Sequence, residues 1–329
     1  MDPISDPAPD PGPAEDLVYH HAPGTRVTYR ARHRRLDLTA WLRIALHLPG
    51  YLLSLALVAA AALALEAWTG LSAWAAVALW AGSGALVFHR STEERIARHL
   101  LRLHRPLPHE LAVLDPVWRE VTARAGVDGS RYQLWIEDSD ELNALAAAGH
   151  IVGVTRNALE RLPRSQLAAV LAHELGHHTG GHAWAGLLGQ WYGLPARAAW
   201  RALSRVRLRA ARTFSPTTVL VITAVTGYLT YRTLAATYGL PLLLLALPWL
   251  AAAVGRRAEL RADAHAAGLG FAPMLAELLH RSLREEGKEA GESRLLDRLL
   301  SSHPDHRTRI HHLQPYLNRE TPQGGHPLG

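Results

Sequence analysis

The chain has 329 residues, enough for about two domains, and a formal net charge of +6. It contains no cysteine, which excludes disulfides and thiolate metal sites and leaves His, Asp and Glu as the candidate metal ligands. The positive charge is almost wholly arginine, with Lys288 the single lysine, and it gathers at the edges of apolar segments without interleaved aromatics, so no nucleic-acid partner is expected.

Residues 1–24 are rich in Pro, Asp and Ala, with Pro3, Pro7, Pro9, Pro11 and Pro13 close together, and read as a disordered tail. They lack the basic start, apolar core and small-residue cleavage site of a secretory signal. A basic juxtamembrane segment, 25–43, carries Arg26, Arg30, Arg32, Arg34, Arg35 and Arg43. Two apolar runs follow, about Ile44 to Leu65 and Leu71 to Phe88, joined by a turn at Thr69-Gly70. Apolar on all faces and close to the roughly 20 residues a bilayer requires, they predict a first transmembrane hairpin over 44–89. Arginines flank both outer ends and the turn has none, so the chain after Phe88 is expected in the cytosol.

Residues 90–182 read as the first part of a catalytic domain. Surface helices are expected over Ser91–Leu103 and Asp115–Arg124, then a strand over Tyr132–Ile136 and a turn at Asp138-Ser139-Asp140. Asn143-Ala144 precede a second strand, His150–Val154, and a short helix ends near Leu162. A strand just ahead of a metal helix can pair with an extended peptide, which makes Ile151, Val152 and Val154 candidate substrate contacts. Pro163 and Ser165 mark the start of the next helix, with Ser165 the expected N-cap.

That helix holds His173-Glu174-Leu175-Gly176-His177 after an apolar lead-in from Leu167. His173 and His177 are one turn apart and leave the same helix face, so both imidazoles can grip one ion. Glu174 lies beside the first ligand, in reach of a water activated there, as a general base requires. In one class of zinc protease a Gly and a third His follow the first ligand by seven and ten positions. Gly180 fits that spacing, but the tenth position is Ala183, and His182 falls one short. His178 and His182 are therefore expected as exposed or interfacial imidazoles.

Residues 183–215 mix Trp184, Trp191, Tyr192 and Trp200 with arginines, a composition suited to a membrane interface. A second apolar hairpin is expected over 216–255, its limbs short for full spans and ending at Arg256-Arg257. The second part of the catalytic domain, 256–318, then opens with Glu259 and Asp263 on one helix face. Glu259 can complete a two-His, one-Glu set that leaves a fourth metal position for water, while Asp263 orients a ligand imidazole. A helix from Ala272 to about Glu286, an acidic loop around Gly287–Glu292, a short helix near Arg309-Ile310 and a flexible end at 319–329 complete the chain.

Taken together, these residues resemble the HtpX-like and CAAX-prenyl-protease-like integral-membrane zinc metallopeptidases. The likeness rests on Asn143-Ala144 before an edge strand, His173-Glu174-Leu175-Gly176-His177, an apolar hairpin, Glu259 with Asp263, and His303-Pro304 ahead of Arg309-Ile310. It departs from that pattern at Leu260, where a Tyr is common, and in the proline-rich tail. The resemblance implies a mostly helical fold of about four spans in two hairpins, bearing a cytosolic gluzincin-type α+β domain with a small sheet. It also implies one zinc ion on His173, His177 and Glu259, Glu174 as base, and His303 and Arg309 near the reacting atoms. Asn143 and Ala144 would touch substrate. The expected activity is cleavage of membrane or misfolded proteins at the cytosolic face of the cell membrane, with polypeptides and the lipid bilayer as partners. The rival readings are a silent membrane scaffold, whose mark would be loss of Glu174 or of a ligand, and a transporter, disfavoured because the His and Glu residues lie outside the apolar runs.

Overall fold

The computed structural model describes residues 38–140, 144–147, 149–286 and 305–320. The expected tail, most of the basic segment, Asn143, residues 287–304 with His303, and the end from 321 onward lie outside the described residues.

Helix α1 (Leu38–Thr69) starts earlier than expected and runs straight through Pro49-Gly50. The turn at Gly70, with φ of 75°, uses a left-handed conformation that glycine adopts without strain. The return limb is α2 (Ala73–Ser83), capped by Ser72 and continued as a 3-10 turn to Phe88. After α3 (Arg90–Arg95) come β1 (Leu103–His104) and α4 (Pro108–Ala125). Where a surface helix was expected, α4 buries Leu114, Val117, Trp118 and Val121. Its apolar positions fall at helical spacing and pack on the sheet and on the metal helix, and Glu110 and Arg124 near its two ends are buried as well.

The sheet consists of β1, β2 (Gln133–Glu137), β3 (Ala144–Ala147) and β4 (Ile151–Thr155), in the order β1-β2-β4-β3. β4 pairs with β2 in parallel and with β3 antiparallel. Side chains alternate between the two faces: Ile136, Val152 and Val154 enter the main core, and Trp135 and Ile151 enter a second cluster with Val87 and Leu187. Both faces are covered, and β4 is buried throughout. The expectation that Ile151, Val152 and Val154 form an open edge is therefore corrected, because both sides of their strand are already paired. The edge next to the cleft is β3.

Beyond α5 (Arg156–Arg161), α6 (Arg164–Thr179) carries the metal-helix sequence. It starts at Pro163, with no side-chain cap, and Ser165 is buried inside it, which corrects the expected N-cap. The chain continues through α7 (His182–Tyr192), α8 (Leu194–Thr213), α9 (Pro216–Ala236), a 3-10 segment (Leu240–Ala246), α10 (Leu247–Gly268), α11 (Ala272–Glu286) and α12 (His306–Glu320). Among the described residues three helices are long and apolar enough to cross a membrane: Leu38–Thr69, Pro216–Ala236 and Pro241–Gly268. The fourth expected limb, Ala73–Phe88, is shorter. The second hairpin does not end near Val254, because its return limb continues unbroken as the helix bearing Glu259.

The helices α6 and α10 meet closely at Gly176. A Cβ there would lie 3.0 Å from the Ala262 Cα and 3.1 Å from the His265 Cβ. That contact sets the spacing between His173 and His177 on one helix and Glu259 on the other. Gly176→Val should force the helices apart and destabilise the fold by about 1–3 kcal/mol. The expected outcome is a lower melting temperature together with reduced bound zinc, read by thermal denaturation and metal analysis of the same sample.

Candidate active site

His173 Nε2 and His177 Nε2 are 3.2 Å apart. Glu259 Oε2 lies 3.5 Å from His173 Nε2, and its Oε1 lies 3.4 Å from His177 Nε2. Zinc held tetrahedrally at about 2.0–2.1 Å from N and O donors sets neighbouring donor atoms about 3.3–3.4 Å apart. The two imidazole nitrogens stand near that spacing and each is close to one of the two Glu259 oxygens, so these residues could hold a zinc ion.

A chain of charged groups orients this set. Asp263 Oδ1 is 2.8 Å from Nδ1 of His173, which turns Nε2 toward the metal position. Arg309 donates from Nε to Asp263 Oδ2 at 2.8 Å and from Nη2 to Oδ1 at 2.6 Å. Asp263 is fully buried and both its oxygens are engaged. Arg309 was expected beside the reacting atoms as a transition-state group. It does line the cleft, but its guanidinium is committed to Asp263, which makes it a positioning residue. Burial works against its charge, yet the bonds to Asp263 outweigh this and raise its pKa further.

Burial opposes charge on His173 as well, but Asp263 and Glu259 outweigh it, and in the metal-free chain the imidazole is pushed up to about 9. The Glu174 carboxyl is raised above its ordinary range by burial, against the pull of His173 and His177 and with help from Glu259. The Ala146 N–H donates to Glu174, so its carboxyl faces the edge strand β3.

His178 and His182 were expected to be exposed or interfacial. His178 instead packs edge-on to Tyr132 and places Nε2 2.8 Å from the Ile151 carbonyl, and burial lowers it to about 4. His182 is buried with Nε2 3.1 Å from Thr39 Oγ1, and burial followed by His177 and Arg43 lowers it to about 4. Both are neutral at pH 7, and His182 stays outside the donor set.

His173, Glu174, His177, Glu259, Arg309 and Ala144 line one cleft of about 580 Å³, with Asp263 behind it. Ile151, Val152 and Val154 do not line it, and Asn143 and His303 lie outside the described residues. Sequence reasoning missed Ala146 and the rest of β3. The run Ala144-Leu145-Ala146-Ala147 has no polar alternation to announce a strand, and only its place after Asn143 marks it.

Residues 108–317 match the family described as Peptidase family M48. The chain belongs to that family. Its members are metallopeptidases, typically zinc-dependent, which agrees with the donor set found here. A comparison with curated proteins gives no match.

Two outcomes follow for this M48 chain. Below about pH 6.5 the raised His173 contributes its full stabilisation to the metal-free protein, and that contribution is lost as pH rises through about 9. Zinc must displace the same proton, so its affinity should rise by about tenfold per pH unit up to about 9 and then level off, as read by competition with a chromophoric chelator. Asp263→Asn should weaken zinc binding by about 10–100-fold in the same assay.

Proposed function

We propose that this M48 chain is a membrane-embedded, zinc-dependent endopeptidase that cleaves membrane or misfolded proteins at the cytosolic face. The observation that carries this reading is the clustering of the donor atoms of His173, His177 and Glu259 beside a buried Glu174 that faces an edge strand. Zinc bound there would supply Lewis-acid polarisation of the scissile carbonyl and of a water molecule.

The chain's own residues do the rest. The cleft side of β3 pairs with the main chain of an extended substrate, which gives affinity without demanding a particular sequence. Glu174 accepts the proton of the attacking water at its carboxylate and returns it to the leaving amine. Its raised pKa suits both halves of that transfer. Asp263 and Arg309 hold the His173 ring in one orientation throughout.

The cytosolic placement rests on Arg90, Arg95 and Arg98 after the first hairpin and on Arg256 and Arg257 along α10. A cleft bordered by apolar helices suits polypeptides that leave, or fail to enter, the bilayer.

The purified, zinc-loaded protein should degrade casein. Glu174→Gln should keep its zinc and lose cleavage by about 10²–10⁴-fold, whereas Glu259→Ala should lose the zinc itself. A wild-type protein that binds zinc yet cleaves neither casein nor a membrane-protein substrate would point to a scaffold instead.

A further inference from the structure

The first turn of α1 packs against His182, beside the candidate metal site. Thr39 and Ala40 are buried, and Thr39 contacts His182, whose ring lies 5.9 Å from that of His177. This end of α1 therefore closes one side of the cleft. Arg43 stands one turn beyond Thr39 and lines the cleft with Gly186 and Gln190. Its Nη2 lies 3.9 Å from where a Cβ on Gly186 would be, so the guanidinium lies across α7, one turn past His182.

Among the described residues three arginines line the cleft, Arg43, Arg281 and Arg309, and Arg309 is bonded to Asp263. Glu174 and Glu259 stand at the metal end and face the two histidines, and Asp263 lies behind them. At the α1 end, Arg43 has no acidic side chain within ion-pair distance among the described residues. The neighbouring Arg197 donates to the carbonyl of Gln190, which adds a second positive group on that side. Between the two ends the walls are mixed, with His182 and Gln190 beside Leu145 and Leu187. Leu187, next to Gly186, packs in the cluster that also takes Leu145 and Ala147 of β3. A peptide laid on β3 with its reacting bond at Glu174 would thus pass Ala147 and Leu187 and reach Arg43.

We infer that Arg43 forms a carboxylate-recognising subsite, so that the enzyme favours peptides carrying an acidic side chain or a free C-terminal carboxylate within a few residues of the cleaved bond. This rests on the peptidase reading above. A guanidinium offers a planar fork of donors to a carboxylate, which suits it to bidentate recognition. Gly186 carries no side chain, so the guanidinium of Arg43 can lie over α7.

The test uses the full-length, zinc-loaded protein in detergent and pairs of peptides that differ only by Glu against Gln. The pair is scanned through each position on both sides of the cleaved bond, and a second pair carries a C-terminal acid or amide. At one position, or at the terminus, the wild type should prefer the carboxylate by about tenfold in kcat/KM. The arm that responds identifies the source of the carboxylate. Arg43→Gln should bring the ratio close to one, Arg43→Lys should keep part of it, and Arg43→Glu should turn it in favour of a lysine peptide. Fluorescence anisotropy of the same labelled peptides on zinc-loaded Glu174→Gln reads the ratio without turnover. Failure of cleavage would then count against the peptidase reading alone. Equal treatment of both members in every pair would overturn the subsite, as would a preference that survives Arg43→Gln in protein with wild-type zinc content and melting temperature. A loss of binding to anionic phosphatidylglycerol vesicles, with the peptide ratio unchanged, would assign Arg43 to lipid phosphate and also overturn it.

Discussion

The chemistry of this protein depends on the close contact between α6 and α10. His173 and His177 come from one helix and Glu259 from the other, and the donor spacing holds only because Gly176 lets the second backbone approach. The partners at the contact are Ala262 and the Cβ of His265, which lie directly against Gly176. Side chains of larger volume would serve the hydrophobic core equally well but would hold the carboxylate out of reach. Tight packing here is therefore a condition of metal binding as much as of stability.

The same interface buries charge. His173, Asp263 and Arg309 join in a row, with Asp263 wholly removed from solvent between two cationic partners. Taking such groups from water is costly, and the gain from pairing in a low-dielectric interior offsets it only when every lone pair is met. Both oxygens of Asp263 are met. The row thus acts as a stiff support, and α12 contributes to the site from a distance although its own side chains need not touch substrate.

The local part of the site was legible in the sequence. Ligands one turn apart on a helix, an acid beside the first of them and a second acid pair further on leave a period that can be read without any tertiary knowledge. What stayed illegible depends on partners far along the chain. Alternation revealed β4 as a strand but not as an interior one, because that depends on β2 and β3 both pairing with it. His182 reads as an ordinary interfacial imidazole until Thr39, 143 positions away, is set against it. Arg309 carries no sign of its bond to Asp263, 46 positions earlier. The apolar pattern near Val254 gives way to charge, and a hairpin end was the natural reading there. The backbone stays helical because nothing in the Gly255–Glu259 stretch breaks it, and only the surroundings of its side chains change.

The path of the chain has one more consequence. His177 and Glu259 are joined through α9 and the apolar start of α10, so the apolar hairpin is inserted within the catalytic unit and is not appended to one side of it. The family match, 108–317, encloses that hairpin entirely. A single proteolytic cut could free an enzyme whose anchor is a terminal tail. Here one cut leaves both halves of the metal site attached to apolar helices, so the activity cannot be shed as a soluble fragment. Nor can a shorter gene encode a secreted form by dropping one end, since removing the hairpin also removes the connection that delivers the third ligand.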